Sequence, residues 1–449
     1  MRPVPVLVLL ITLFVAACTA FNVLTPYRTA GLYFAMGEPQ EIPDIGAPDE
    51  LQHTAYVAHL LEEGELPVLD PDDPRLGERY QSHQPPLYYV LAAGWATVTG
   101  GASEANGELT LETPEGGFAL RFLNTLIGGA TILAVYFGAL WGLGRVNVAL
   151  AAAAVPALLP MNVALHSAVS NDPLLFALIS WALALALKSA AHGFELKVSL
   201  GIGVLAGLAL LTKTSALALL PTLFVALVVG RRYLVESKPC PRHWLLMLLL
   251  PLVIATPLYL RNLNLYGDPF AISVFNEAFS GSPQASTFIE RIGPVAYWTQ
   301  AVGRVTAMSL IGAFGYMEIF LPMSFYIAGW VFIAVLLVGL VVRMRGLKQE
   351  SADQQLPDPR PFLWINLALF VVALALFVQF NLTYYQAQAR YLFPAIAPIA
   401  FALGLGAEGL MGGRSKYAWV TVSLVLAILL AMSLTVLPGA FEARMLPNS

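Results

Sequence analysis

The sequence predicts an all-α polytopic membrane protein: about 11 transmembrane helices, with a long first external loop carrying juxtamembrane helices. Two observations carry this prediction. Of the 449 residues, 58% are hydrophobic and only 12% are charged, against roughly 25% charged in a typical soluble domain, so a soluble fold would lack the polar surface to cover itself. Apolar stretches of about 20 residues, each able to cross a hydrocarbon core of about 30 Å, recur along the whole chain.

Spans are expected near residues 4–24, 119–143, 148–168, 173–191, 198–212, 214–230, 244–260, 320–342, 362–381, 392–411 and 418–437, forming one transmembrane domain over 1–449. The pair at 198–230 is separated only by Thr212, Lys213, Thr214 and Ser215, and charge decides that it is a hairpin. With the N-terminus inside, short cytoplasmic segments collect 14 of the 24 Lys and Arg, among them Arg2, Arg145, Arg231, Arg232, Arg343, Arg345, Arg414 and Lys416. The clusters at 231–242 and 343–348 both fall inside only if residues 198–230 turn back. Of the 28 Asp and Glu, 22 fall outside, 16 of them between Glu38 and Glu115.

Two large external segments result, at about 25–118 and 261–319. The first holds a helical pattern from Asp49 to Glu63, a Pro- and Asp-rich turn at Pro67 to Pro74, and an apolar stretch from Pro85 to Val98. That stretch is too short to span and is predicted to lie on the outer membrane surface. Cys18 and Cys240 are far apart, with neither disulfide nor metal-ligand spacing. Val15-Ala16-Ala17-Cys18 resembles a lipoprotein processing box, but four-residue matches arise easily in apolar helices, and the first segment is read as a retained span.

The strongest local signal is Pro48-Asp49-Glu50-Leu51-Gln52-His53. Asp49 and His53 stand four apart and share a helix face, with Tyr56 on the adjoining one, while Glu50 points partly aside. A carboxylate just outside the membrane can act as a general base toward an acceptor hydroxyl or can hold a phosphate-binding metal ion. The plainer alternative is a helix start capped by Asp49. Downstream, Ser82-His83-Gln84-Pro85-Pro86-Leu87-Tyr88-Tyr89 opens the surface helix; Pro at a helix start and interfacial tyrosines are ordinary, whereas His83 and Gln84 are left without that explanation. Polar residues also sit at the outer ends of spans: Asn171-Asp172-Pro173, Lys213, Arg261-Asn262 and Arg390-Tyr391. Each has a bland account as a cap or a snorkelling anchor, but one topology brings all of them to the membrane face that carries Asp49. Carboxylates together with Lys213, Arg261 and Arg390 at the lipid boundary suit a phosphate-bearing lipid, because departure of a lipid phosphate needs its developing charge stabilised.

These landmarks resemble the GT-C glycosyltransferases, particularly the branch of protein O-mannosyltransferases and bacterial aminoarabinose transferases. The resemblance rests on Asp49-Glu50 in a long first external loop, the His83-to-Tyr89 motif, Arg121 at the second span, Asn171-Asp172-Pro173, Leu211-Thr212-Lys213-Thr214, Arg261-Asn262 with Gly267-Asp268-Pro269, and Arg390-Tyr391-Leu392-Phe393-Pro394. It implies a membrane glycosyltransferase that moves a sugar from a polyprenyl-phosphate donor to a lipid, glycan or protein acceptor outside the cytoplasm. It implies Asp49, Glu50 and Asp172 as catalytic residues, and His53, His83, Gln84, Tyr88, Lys213, Arg261, Arg390 and Tyr391 as substrate-binding residues. A divalent metal ion, if one is used, would draw on Asp49, His53 and His83. Aminoarabinose transferases often carry Lys where this chain has Gln84, which removes one phosphate contact. Membrane lipids are the remaining partners, and no nucleic acid is expected. An envelope polysaccharide polymerase or ligase is the alternative that shares such outer loops and arginines; a lipid or solute transporter would instead place its ionisable residues near the midplane.

Overall fold

The computed structural model describes residues 3–34, 38–102, 104–105, 108–412 and 417–446; Arg2, Arg414 and Lys416, used above to orient the chain, lie outside them. The protein is a multi-pass membrane protein. Among the described residues, nine helices are long and apolar enough to cross a membrane, and a bent pair makes a tenth span.

The chain runs through α1 (Pro3–Leu24), the loop helices α2 (Glu50–Glu63) and α3 (Leu87–Thr99), then α4 (Pro114–Leu143). It continues through α5 (Val146–Leu158), α6 (Pro160–His166), α7 (Asp172–His192), α8 (Leu196–Leu210) and α9 (Thr214–Tyr233). Next are α10 (Pro241–Tyr266), the loop helices α11 (Ile272–Ala278) and α12 (Ala285–Ile292), and the spans α13 (Met323–Asp353), α14 (Pro359–Thr383), α15 (Ala389–Leu410) and α16 (Ala418–Glu442). Among the described residues three small antiparallel pairs decorate the loops: β1 (Gly31–Tyr33) with β2 (Gln40–Ile42), β3 (Ala313–Phe314) with β4 (Ile319–Phe320), and the two-residue pair Glu104–Ala105 with Glu108–Leu109.

Helix α5 is apolar all round because it lies at the centre of the bundle, where Val148 to Ala154 are all fully buried. The span expected over 148–168 is broken: Pro160 opens α6 at a bend of 61°, and the Asn162 amide donates to the Pro156 carbonyl at 2.7 Å, partnering an acceptor at the break. Helices α13 and α15 approach closely through small residues; a Cβ on Gly339 would sit 2.2 Å from the Gly406 carbonyl oxygen.

The hairpin reading of 198–230 is matched by the contacts. The Phe194 amide, just before α8, donates to the Ser237 carbonyl, just after α9, at 2.9 Å, and the Phe194 ring lies against Gly230. The basic loops gather at this end of the bundle. There Arg145 and Arg343 share Glu350 and Glu408 in a four-charge knot, and Arg360 stacks over Tyr233 at 4.5 Å. At 15 residues, α8 rises about 22 Å, short of a hydrocarbon core of about 30 Å, so its partner turn carries Lys213 into the depth of the bundle. Helix α3 buries Tyr88, Tyr89, Ala92 and Ala96 against the bundle and exposes Val90, Leu91 and Val98, the two-sided character expected of a surface helix.

Candidate active site

Asp49 precedes α2 with a left-handed backbone, φ 64°, and its side chain makes no cap hydrogen bond. The capping alternative therefore fails. Its carboxylate turns instead to Arg390, whose Nη2 donates to Oδ2 at 2.5 Å, while the Tyr80 hydroxyl donates to Oδ1. Burial alone would raise the Asp49 pKa, but Arg390, His53 and the Tyr80 hydrogen bond outweigh it and hold the carboxyl at about 2. Burial and the adjacent Asp49 charge together push the Tyr80 hydroxyl well above its ordinary value, so it stays a donor.

A second acid–base pair lies on the same cavity. Asp172 is the first residue of α7 and receives Lys213 Nζ at 2.6 Å. Lys213 stands in the extended break between α8 and the short 3-10 turn that opens α9, which frees its side chain from either helix face. Arg390 sits in the 3-10 stretch before the regular part of α15, beside the Tyr391 ring at 5.2 Å; its Nη2 also reaches the Tyr391 hydroxyl at 3.3 Å. Its Nε is buried without a hydrogen-bond partner, so one prong of the guanidinium fork is open.

Burial favours the neutral form of both histidines, and each is held by a hydrogen bond. His53 is buried and its Nδ1 meets the Tyr89 hydroxyl at 2.8 Å; burial, with Lys213 assisting, pulls its pKa down to about 4 despite Asp49. His83 Nδ1 faces the Tyr80 carbonyl at 2.7 Å, and burial lowers its pKa to about 4 as well. The carbonyl fixes the proton on Nδ1, so Nε2 accepts from the Gln84 amide at 3.1 Å. Gln84 Oε1 in turn accepts from Asn171 at 3.2 Å, tying the start of the surface helix to the start of α7.

These groups line one cavity of about 1680 Å³ that contains Asp49, His53, His83, Gln84, Asp172, Lys213, Arg390 and Tyr391 together. One flank is aromatic, with Phe275 and Phe279 of the α11 region facing Phe380 and Tyr384 at the end of α14.

Three of the residues expected at the site lie elsewhere. Glu50 is fully buried in a two-pronged pair with Arg121, at 2.8 Å from Nε and 2.5 Å from Nη2, and its Oε1 also takes the Val169 amide at 2.7 Å. Arg121 completes this staple by donating to the carbonyls of Asn22, Thr25 and Pro26. With its oxygens committed, Glu50 is a structural residue rather than a catalytic one. Tyr88 is buried at zero exposure, its hydroxyl accepting from Asn124 at 3.1 Å, because α3 turns that face into the bundle. Arg261 clamps the Leu66 and Pro67 carbonyls at 3.0 and 2.9 Å and so fixes the first external loop instead of facing a phosphate.

The metal expectation does not fit either. Asp49 is engaged on both oxygens and His83 on both nitrogens, and His53 Nδ1 faces Tyr89; among the described residues, no group of three or more His, Cys, Asp and Glu side chains is arranged to hold an ion.

Sequence reading missed Tyr80, Tyr316, Glu318 and Arg444, all on the cavity wall. Arg444 had a signal: it is a basic residue following the last span on the side that the sequence reading expects to be external, against the trend that places Lys and Arg inside.

The dolichyl-phosphate-mannose-protein mannosyltransferase family profile matches residues 111–260. No curated protein sequence matches the chain significantly. Among solved structures, ArnT from Cupriavidus metallidurans in the apo state superposes with a TM-score of 0.52 at 16% identity, over 96% of this chain and 74% of that one. The chain has a GT-C fold. The same GT-C protein bound to undecaprenyl phosphate gives 0.50 at 16% identity, over 96% and 75% of the two chains. The Archaeoglobus fulgidus oligosaccharyltransferase tethered to an acceptor peptide gives 0.49 at 13% identity, over 96% of this chain and 55% of that one. Helix α15 carries Arg390 at one end and Glu408 at the other, so the cavity with Asp49 lies at the end of the bundle away from the four-charge knot.

Proposed function

We propose that the protein is a glycosyltransferase that moves a sugar from a polyprenyl-phosphate donor to an acceptor hydroxyl on the extracytoplasmic side of the membrane. The observation that carries this reading is the Asp49–Arg390 pair on the cavity, with a second guanidinium nitrogen of Arg390 buried and unpartnered. A dianionic or monoanionic phosphate competes with Asp49 for that guanidinium and can use both prongs of its fork. Lys213 supplies a second positive charge from the other side chain pair.

The exchange of partners gives the chemistry. At rest, Asp49 is a weak base because Arg390 stabilises its charged form; once the donor phosphate draws Arg390 away, that stabilisation lapses and the carboxylate gains proton affinity. The acceptor oxygen then attacks the anomeric carbon, its proton passes to Asp49, and the sugar–phosphate bond breaks with its electron pair kept by the phosphate oxygen. Arg390 and Lys213 stabilise that developing charge. Asp172 positions Lys213. The aromatic flank suits an isoprenoid tail and the likeness to ArnT with undecaprenyl phosphate supports such a donor. The positive-inside rule, applied to the basic end of the bundle, supports a cavity outside and an N-terminus inside.

The test is mass analysis of membrane lipid extracts from cells with and without the gene. Polyprenyl-phosphate sugar should accumulate without it, and equally when Asp49→Asn replaces the wild type. An unchanged lipid profile in both strains would overturn the reading.

A further inference from the structure

We infer that the flank of the cavity built by Tyr33, Phe34, Tyr316, Glu318 and Arg444 is the acceptor subsite, and that Arg444 there recognises an anionic group on the acceptor. The inference rests on the glycosyl-transfer reading and adds to it the location and charge of the second substrate.

Three distant parts of the chain meet at this flank. The Leu32 amide donates to the Arg444 carbonyl at 2.8 Å, and Gly31 bridges Met445, so the end of α16 is stitched to β1 in the first loop. The turn between β3 and β4 supplies the rest. Its residues Gly315, Tyr316 and Met317 have φ of 48°, 46° and 66°, a run of left-handed backbone that two of the three reach against the preference of L side chains. The turn brings the Tyr316 ring edge-on to Tyr33 at 6.5 Å and its hydroxyl to the Asp49 backbone. Asp49 is thus common to both flanks, touching Arg390 on one and Tyr316 on the other.

Three acid–base pairs face the cavity, and they differ in how firmly they are made. Arg390 reaches Asp49 at 2.5 Å and Lys213 reaches Asp172 at 2.6 Å, whereas Arg444 Nε stands 3.6 Å from Glu318, with no hydrogen bond at that nitrogen among the described residues. Glu318 does not depend on Arg444, because its carboxylate also accepts the Phe34 amide at 2.8 and 3.1 Å. Arg444 also donates Nη1 to the Ala440 carbonyl at 2.8 Å and Nη2 to the Glu318 carbonyl at 3.3 Å, so its Nε is the prong left to a ligand, and of these three paired cations it is the one whose carboxylate an incoming anion displaces with least loss. Its guanidinium rests over the Phe34 ring at 5.7 Å, and with Tyr33 and Tyr316 it frames an aromatic and cationic wall suited to a hydroxyl-bearing group next to a negative charge. It shares no hydrogen bond with Asp49 or Asp172, so occupying it leaves the donor pairs in place.

The test uses purified protein in phosphatidylcholine nanodiscs saturated with undecaprenyl phosphate, so that Arg390 and Lys213 are already engaged. Binding is then measured for two matched pairs: glycerol 3-phosphate against glycerol, and phosphatidylglycerol against diacylglycerol. The anionic member of at least one pair should bind about tenfold or more tightly, the gain of one charge-assisted contact, and the arm in which this occurs tells a soluble source from a lipid headgroup. Arg444→Gln should erase that preference while undecaprenyl phosphate affinity stays within about twofold, and Arg444→Lys should retain part of it because the charge remains. Glu318→Gln, which still accepts the Phe34 amide but releases Arg444, should strengthen anion binding about threefold or more. Equal binding of charged and neutral members in both arms, a preference that persists in Arg444→Gln, or no gain in Glu318→Gln would each overturn the inference. Failure of the wild type to bind undecaprenyl phosphate would overturn the transfer reading, and this subsite with it.

Discussion

At the scale of single residues, the proposed chemistry rests on Asp49. Its left-handed backbone and missing cap contact leave the helix start independent of its charge. Asp49→Asn should therefore cut turnover by about 10²–10⁴, the usual cost of losing a general base, with donor binding retained and with a loss of thermal stability from the unpaired Arg390 that is smaller than the loss from the fully buried Glu50–Arg121 pair. Steady-state turnover and lipid binding on the same preparation check this. Stability should respond to pH through two histidines, whose combined effect exceeds the opposing one of Asp44, a carboxyl that burial raises to about 7. His53 and His83 are held neutral to about pH 4, whereas the unfolded chain protonates them near 6.5, so the unfolded state binds more protons between those values. Stability is then lost as pH falls through that window, by at most about 1.4 kcal/mol per pH unit for each histidine. Thermal unfolding in detergent from pH 7 to pH 4.5 should show the decline, and His83→Gln should flatten it. The Asp49–Arg390 pair adds no slope there, since its contribution is present above the ordinary aspartate value and lost only as pH falls through about 2. Much of this site was legible. Asp49, His53, Asp172, Lys213 and Arg390 were visible as costly polar groups at one membrane face, and all of them line the cavity. Helical spacing set Glu50 only partly aside and the resemblance kept it among the catalytic residues; nothing in the spacing showed that Arg121, 71 positions later, is waiting for it.

At the scale of elements, that Glu50–Arg121 staple ties α2 to α4 and to the end of α1. Breaking a buried pair strands a charge, and Arg121→Met should cost about 3–5 kcal/mol, far more than Asp49→Asn. Thermal shift in detergent distinguishes the two, and Glu50→Gln should behave like Arg121→Met rather than like a catalytic substitution. The spans themselves were readable from hydropathy, because only a helix satisfies its own backbone in lipid. The 61° break was not read, although Pro160 announced it: an apolar window averages across a proline, while the backbone it interrupts does not. The turn at Lys213 was read from its polar residues together with the charge balance of the loops on either side, a case where two weak signals constrained each other.

At the scale of the whole molecule, charge is sorted by end. The basic loops and the four-charge knot occupy one end of the bundle, and the acid–base pairs of the cavity occupy the other. Single cysteines placed by Ser237→Cys and Glu104→Cys, in a background lacking Cys18 and Cys240, should give impermeant-reagent labelling at 104 and none at 237 in intact cells. The reverse pattern would invert the topology. The pairing of charges in the cavity also determines what an electric field can do to it. Moving one elementary charge through 100 mV changes its energy by about 2.3 kcal/mol, enough to bias a helix rearrangement. Asp49 with Arg390, Asp172 with Lys213, and Glu318 with Arg444 each sum to zero. A resting potential therefore exerts no net pull on these pairs, and under the proposed function only the arrival and departure of a charged donor would couple the site to membrane voltage.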